Sequence, residues 1–268
     1  MQLTNTLIAY VQQRLDAWTT ENNLRCYIRP LFDKDSGMPD DMPHCCIQQR
    51  RIRDTVDFKL LAGWLQTCDK EHSHNSGLLD APRRLKHMRF IDVRRRCIVS
   101  YGHQVRYAAL SYTWGSQERY CLKRQNIQAL EQMNALQNPE LKLGPTIFDS
   151  IQVCERLCIP YLWIDSLCIV QDDAEAKHDQ IQNMDEIYAN AYLTLVASSE
   201  RYIPTDSGDS RSTLDIGLSR VSIPAVSSQK SITVDGVSYA ILPEDPCRSL
   251  DLQLARSVWF TRGWYVHP

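Results

Sequence analysis

Apolar positions along the chain recur with two different periods, and the switches between them mark its elements. Over residues 1–25, Leu7, Ile8, Val11, Leu15 and Trp18 fall at three- and four-residue steps, which predicts an amphipathic helix. Residues 30–46, rich in Pro, Asp, Met and Cys, read as irregular. A second helix is predicted over 53–68, where Val56, Leu60, Trp64 and Cys68 share one face. The polar stretch 70–83 reads as a connector. It divides a helical N-terminal appendage, residues 1–84, from a main domain, residues 85–268.

Beyond the connector, strand and helix patterns alternate. MRFIDV and RCIVS are short strand-like segments, and the β-branched and aromatic run RYAALSYTWG predicts a buried strand ending near Tyr112. RQNIQALEQMNAL, residues 124–136, reads as a helix. Gly144-Pro145 opens the next one, with proline at the first helical position, and Ile147, Phe148, Ile151, Cys154 and Cys158 form its apolar stripe. Ile159-Pro160 ends it, and YLWID follows as a strand. Asp172-Asp173 starts another helix, with Ile181, Met184, Ile187, Tyr188 and Ala191 on its buried face, and YLTLVAS returns to strand. Strands joined through helices by short links predict an α/β fold with a mainly parallel, doubly wound sheet. The strands near 107–112, 161–165 and 192–197 are expected to be neighbours. Residues 200–220 read as a surface loop. SITVDGVSYAIL reads as a β-hairpin turning at Asp235-Gly236, an antiparallel insertion within the α/β core.

Composition narrows the classes. Apolar residues make up 43% and charged residues 23%, an ordinary globular balance that permits a sizeable core. A formal net charge of −2 supplies no global attraction for nucleic acid or anionic lipid, so neither is expected as a partner. The N-terminal residues lack a continuous apolar segment with a small-residue cleavage site, so no signal peptide is expected. No apolar run approaches the length of a membrane span. The ten cysteines are scattered, with Cys154, Cys158 and Cys168 in apolar runs, which favours reduced thiols in a cytoplasmic protein over a disulfide scaffold.

The residues with candidate chemistry cluster at predicted strand ends, where open parallel sheets bind ligands. Ser111, Tyr112, Thr113, Trp114 and Gly115 offer hydroxyls, a stacking indole and a glycine that admits close backbone approach. The competing reading has Trp114 packing a core edge and Gly115 permitting a turn. Asp165, followed by Ser166, ends the next strand, where a carboxylate suits ribose hydroxyls, a turn or a cap. Ser111, Trp114, Gly115 and Asp165 are expected to line one cleft. Cys168 has no neighbouring histidine to generate a thiolate and reads as a packed thiol. Gln171, Asp172 and Asp173 read as capping residues. Cys68, His72 and His74 lack a second ligand pair, so no metal site is assigned. Arg83, Arg84, Lys86, Arg89 and Arg94 to Arg96 read as a solvated basic face.

Three ordered blocks carry a family resemblance: YAALSYTWG at 107–115, GPTIFDSIQVCERLCIPYLWIDSLCIVQDD at 144–173 continuing into DQIQNMDEIYANAYLTLVAS, and RGW at 262–264. Together they resemble the HET (heterokaryon incompatibility) domain of filamentous fungi over roughly 85–264. The resemblance implies a flavodoxin- or TIR-like fold and a role in self/non-self recognition and programmed cell death, through self-association or a protein partner. It also implies a pocket for NAD or a related nucleotide, with Ser111, Tyr112, Trp114, Gly115, Asp165, Ser166, Arg262 and Trp264 as candidate ligand contacts. Some TIR-type members cleave NAD with a glutamate that the family pattern places at position 268, where this chain has Pro268. Proline can neither ionise nor act as a general base, so binding without turnover is the expectation, with Asp165 as the substitute acid for a surviving hydrolase. The remaining alternative is a non-catalytic decoy that pairs with full-length HET proteins.

Overall fold

A computed structural model describes residues 26–32, 49–50, 54–71, 88–101, 105–114, 120–198, 201–203, 212–215, 217–218, 220–221, 231–234 and 237–243. The chain divides into two compact units, Met1–Asp54 with Ala225–Arg256, and Thr55–Pro224 with Ser257–Pro268. The helix expected over 1–25 lies outside the described residues.

The smaller unit is a four-stranded sheet. Strands β1 (Cys26–Phe32) and β2 (Gln49–Arg50) pair in parallel, and β10 (Ser231–Val234) and β11 (Val237–Pro243) form an antiparallel hairpin, in the order β10-β11-β1-β2. The hairpin is where the sequence places it, and Val234 pairs with Val237 across the two-residue connection. Its partner differs from expectation. It is not inserted into the α/β core but adds β1 along β11, from Cys26 opposite Pro243 to Pro30 opposite Tyr239. Residues 30–32, expected to be irregular, therefore belong to a strand.

The larger unit is built on a five-stranded mixed sheet in the order β4-β3-β6-β5-β7. Its strands are β3 (Met88–Asp92), β4 (Cys97–Tyr101), β5 (Tyr107–Ser111), β6 (Tyr161–Trp163) and β7 (Leu193–Val196). As the apolar runs predict, β5 lies between β6 and β7 and is parallel to both. Every residue of β5 is buried, the environment that a continuous apolar run requires in a central parallel strand. The β3–β4 hairpin extends the sheet antiparallel to β6, with Ile91 opposite Leu162 and Asp92 opposite Tyr161. The short strands β8 (Arg201–Ile203) and β9 (Ser212–Leu214) pair separately, within a stretch expected to be loop throughout.

Helices α1 (Phe58–Glu71), α2 (Ile127–Leu130), α3 (Pro145–Arg156), α4 (Asp165–Cys168), α5 (Ala174–Gln182) and α6 (Met184–Ala189) belong to this unit. The Asp69 carboxylate of α1 pairs with Arg106 at 3.2 Å and accepts from the Tyr192 hydroxyl at 2.9 Å. The Arg106 guanidinium lies 3.5 Å from the centroid of the Tyr192 ring, so one cation serves both a carboxylate and an aromatic face. The helix expected over 124–136 is broken into α2 and flanking 3₁₀ turns. Two amides of this segment bond outward to the β3–β4 turn, Asn134 N to Arg95 O (2.8 Å) and Leu136 N to Arg96 O (2.9 Å). Asn134 adopts a left-handed φ of 64° to make that possible. Tertiary backbone bonds override local helix propensity here.

Helix α3 begins as its sequence predicts, with Gly144 at the cap and Pro145 at the first position. It ends in a Schellman arrangement. Ile159 N bonds to Cys154 O (2.9 Å), Cys158 N bonds to Glu155 O (3.2 Å), and Cys158 is left-handed with φ 57°. Glycine normally fills that position because a Cβ there is strained. Cys158 is exposed, so no packing offsets the strain. Cys158→Gly is expected to stabilise the protein by about 1 kcal/mol, read as a higher urea midpoint at unchanged m-value. A lower midpoint would contradict this account of the helix end.

Candidate functional site

Parallel β5 and β6 end side by side, so the residues that follow them emerge at one end of the sheet. After β5 the chain runs through Tyr112 and Thr113 to Trp114. After β6 it runs through Ile164 into the single turn of α4. Two side-chain bonds join these exits. The Trp114 indole N–H donates to both oxygens of Asp165, at 3.0 and 2.9 Å. The Tyr112 and Ser166 hydroxyls share a bond of 2.8 Å, with both residues buried. Asp165 Oδ1 also accepts from the backbone N–H of Ser166 at 2.7 Å, which sets the carboxylate's angle at the start of α4.

The backbone reinforces the same turn. Leu122 N donates to Ser166 O (2.9 Å), and Gln171 N donates to Leu122 O (2.8 Å). Trp114 and Leu122 are therefore both bonded to the stretch 165–171. The Gln171 amide nitrogen reaches back to Asp165 O (3.0 Å) and Ile169 O (3.1 Å), closing the turn from inside. Asp172 accepts from Arg124 N, and Asp173 caps α5 by accepting from Ala176 N at 3.1 Å. That backbone bond and the Arg124 guanidinium at 3.0 Å hold the Asp173 carboxyl below the usual carboxylate range. Of the residues expected to cap, Asp173 does so, whereas Asp172 ties the turn to Arg124 and Gln171 closes the turn on itself.

On the other flank, Ser111 is buried and its carbonyl accepts from Ala197 N at 2.9 Å. The Tyr188 hydroxyl donates to Leu110 O at 3.2 Å. Burial pushes the Tyr188 phenol well above its ordinary range, and the nearby Asp165 charge adds to the effect. A neutral phenol donor therefore persists at this strand end across the physiological range. Tyr188 was legible only as part of a helix's apolar face, since spacing does not show where its hydroxyl lands.

Of the candidate ligand contacts, the structure brings Ser111, Tyr112, Trp114, Asp165 and Ser166 to one end of the sheet. Gly115, Arg262 and Trp264 lie outside the described residues, as do Pro268, His72 and His74. The described residues hold no group of three or more His, Cys, Asp or Glu arranged to bind a metal, and no described helix is long and apolar enough to cross a membrane.

The fold and this strand-end constellation define an α/β domain whose two most specific sequence motifs meet through side-chain bonds. A family model described as heterokaryon incompatibility protein (HET) matches residues 107–267, and the chain belongs to that family. No curated protein and no solved structure matches the chain.

Cys168, the only thiol in the site's turn, is fully buried. Its sulfur accepts from Ile164 N (3.3 Å), and desolvation pushes its pKa to about 12. Cys154 is likewise pushed to about 12 by burial. Because the thiolate is the reactive form, neither can act as a nucleophile near neutral pH. Under native conditions at pH 8, peptide-resolved mass spectrometry should find iodoacetamide on exposed Cys158 and none on Cys154 or Cys168. Labelling of Cys168 at the rate of Cys158 would contradict its assignment as a packing residue.

Proposed function

We propose that this chain is an effector or regulator of fungal self/non-self recognition that acts in programmed cell death through self-association or a protein partner. Its HET domain spans 85–268, its fold is TIR-like and doubly wound, and the strand-end site is a pocket for NAD or a related nucleotide. The observation that carries the reading is the bond from Trp114 to both oxygens of Asp165. It joins SYTWG to WIDSLC, so the two motifs act as one site rather than as separate packing elements. The half-buried indole supplies a stacking surface at this strand end.

The same bond speaks against turnover by Asp165. Cleavage of a nicotinamide glycosidic bond needs a carboxylate facing the electron-poor sugar. Both Asp165 oxygens already accept from Trp114. Pro268 stands where the family pattern has its glutamate, so nucleotide binding without hydrolysis is the combination this chemistry favours.

Regulated expression in a filamentous fungus tests the reading. The wild-type chain should cause cell death scored by vital-dye uptake, and Trp114→Ala at equal protein level should abolish it. Equal killing by both, or killing by neither, would contradict the proposal. Purified wild-type protein incubated with NAD should release no nicotinamide above background; release abolished by Asp165→Ala would make Asp165 the missing acid.

A further inference from the structure

A helix leaves the N–H groups of its first turn without partners of its own, and the residue before it normally supplies a side-chain acceptor. In α3 that residue is Gly144, which has no side chain, and Pro145 after it has no N–H. The first free N–H of the helix is therefore that of Thr146, and it is met from far along the chain. Asp215 Oδ1 accepts from Thr146 N at 3.2 Å and from the Thr146 hydroxyl, and also from Gly217 N at 3.1 Å. One turn further on, the bond runs the other way: Asp149 Oδ2 of α3 accepts from Leu218 N at 2.6 Å.

These contacts form a double clasp. Thr146 and Asp149 are three positions apart and share one face of α3, and Asp215 and Leu218 are three positions apart on the chain that meets it. Both helix residues are buried, so breaking the clasp deprives a buried hydroxyl and a buried carboxylate of a bond each. Apolar packing adds one anchor: among the described residues of this stretch, Leu218 packs against the core cluster. Arg220 is left-handed with φ 69°, a strained backbone for a residue that carries a Cβ. Polar bonds, one apolar anchor and local strain mark a segment that opens before the rest of the fold. The chain passes between the two units at Asp54–Thr55 and again at Pro224–Ala225. Val56 N donates to Arg220 O at 3.0 Å and Val221 N to Leu218 O at 3.1 Å, so the residues just inside both passages are bonded to the same stretch.

We infer that Asp215, Gly217, Leu218, Arg220 and Val221 form a releasable strap, clasped by Asp215 and Asp149, that opens as one unit and couples both passages to the first turn of α3. Closed, the strap caps the helix with a carboxylate that the helix's own sequence does not supply. Open, it takes the acceptor away from Thr146 and, through Arg220, from Val56, so the lead-in to α1 loosens with it. A displacement of either passage is thereby transmitted to α3.

Amide-resolved hydrogen exchange on the full chain tests the strap. The informative amides are Leu218, Val221 and Val56, whose own acceptors are Asp149, Leu218 and Arg220. Asp215→Ala should speed exchange at all three by one common factor, at least about tenfold, and leave Ala109 and Leu110 of β5 unchanged. Thr146→Val removes only the hydroxyl donor, 69 positions from Asp215, and should speed the same three amides severalfold. The double variant should exchange as Asp215→Ala does, because the hydroxyl then has no carboxylate to meet. Acceleration confined to residues beside each substitution would overturn the inference, since nothing would be coupled. Equal acceleration of the β5 amides would overturn it too, since the stretch would open only with the whole fold. Additive effects in the double variant would separate Thr146 from Asp215 and contradict the clasp.

Discussion

The bond between the Trp114 indole and the Asp165 carboxylate is the constraint around which the strand-end site is arranged. Parallel pairing of β5 with β6 brings the two chain exits side by side, but pairing ends at Ala109 and Trp163. Beyond that point only side chains and loop amides can fix one exit against the other. The indole N–H has a single direction, and by meeting both carboxylate oxygens it holds the ring in one orientation. The carboxylate is fixed in turn by the Ser166 N–H, so the ring's position derives from the first turn of α4. Tyr112–Ser166 and the Leu122 backbone bonds repeat the connection from the buried side.

This arrangement separates residues that build the site from residues left to meet a ligand. Tyr112, Ser166 and Gln171 spend their polar groups on one another or on the turn's backbone. The Cys168 thiol is held neutral beneath them. What remains for recognition is the half-buried indole surface.

The parallel core was legible in the sequence because its signals are local. YAALS, YLW and LTLV are apolar runs bounded by Gly144-Pro145, Asp172-Asp173 and helical stripes, and each formed the expected element. What escaped was set by distant partners. Strand β1 pairs with β11 from far along the chain, and no periodicity in CYIRPLF names that partner. The segment 124–136 has helical composition, yet amide bonds to Arg95 and Arg96 break it. Within the site, SYTWG and Asp165 were recognisable as strand-end chemistry, but whether the carboxylate faces a ligand or an indole is a matter of geometry.

A double-mutant cycle on Trp114→Phe and Asp165→Ala tests most directly whether the two motifs act as one unit. Phenylalanine keeps the ring and removes the N–H, and alanine removes the acceptor. The account predicts a coupling energy of about 1 kcal/mol or more from urea unfolding, the scale of a partly buried bond to a charged acceptor. Additive effects, with coupling within about 0.3 kcal/mol of zero, would mean that the indole and the carboxylate are independent and that the site has no such keystone.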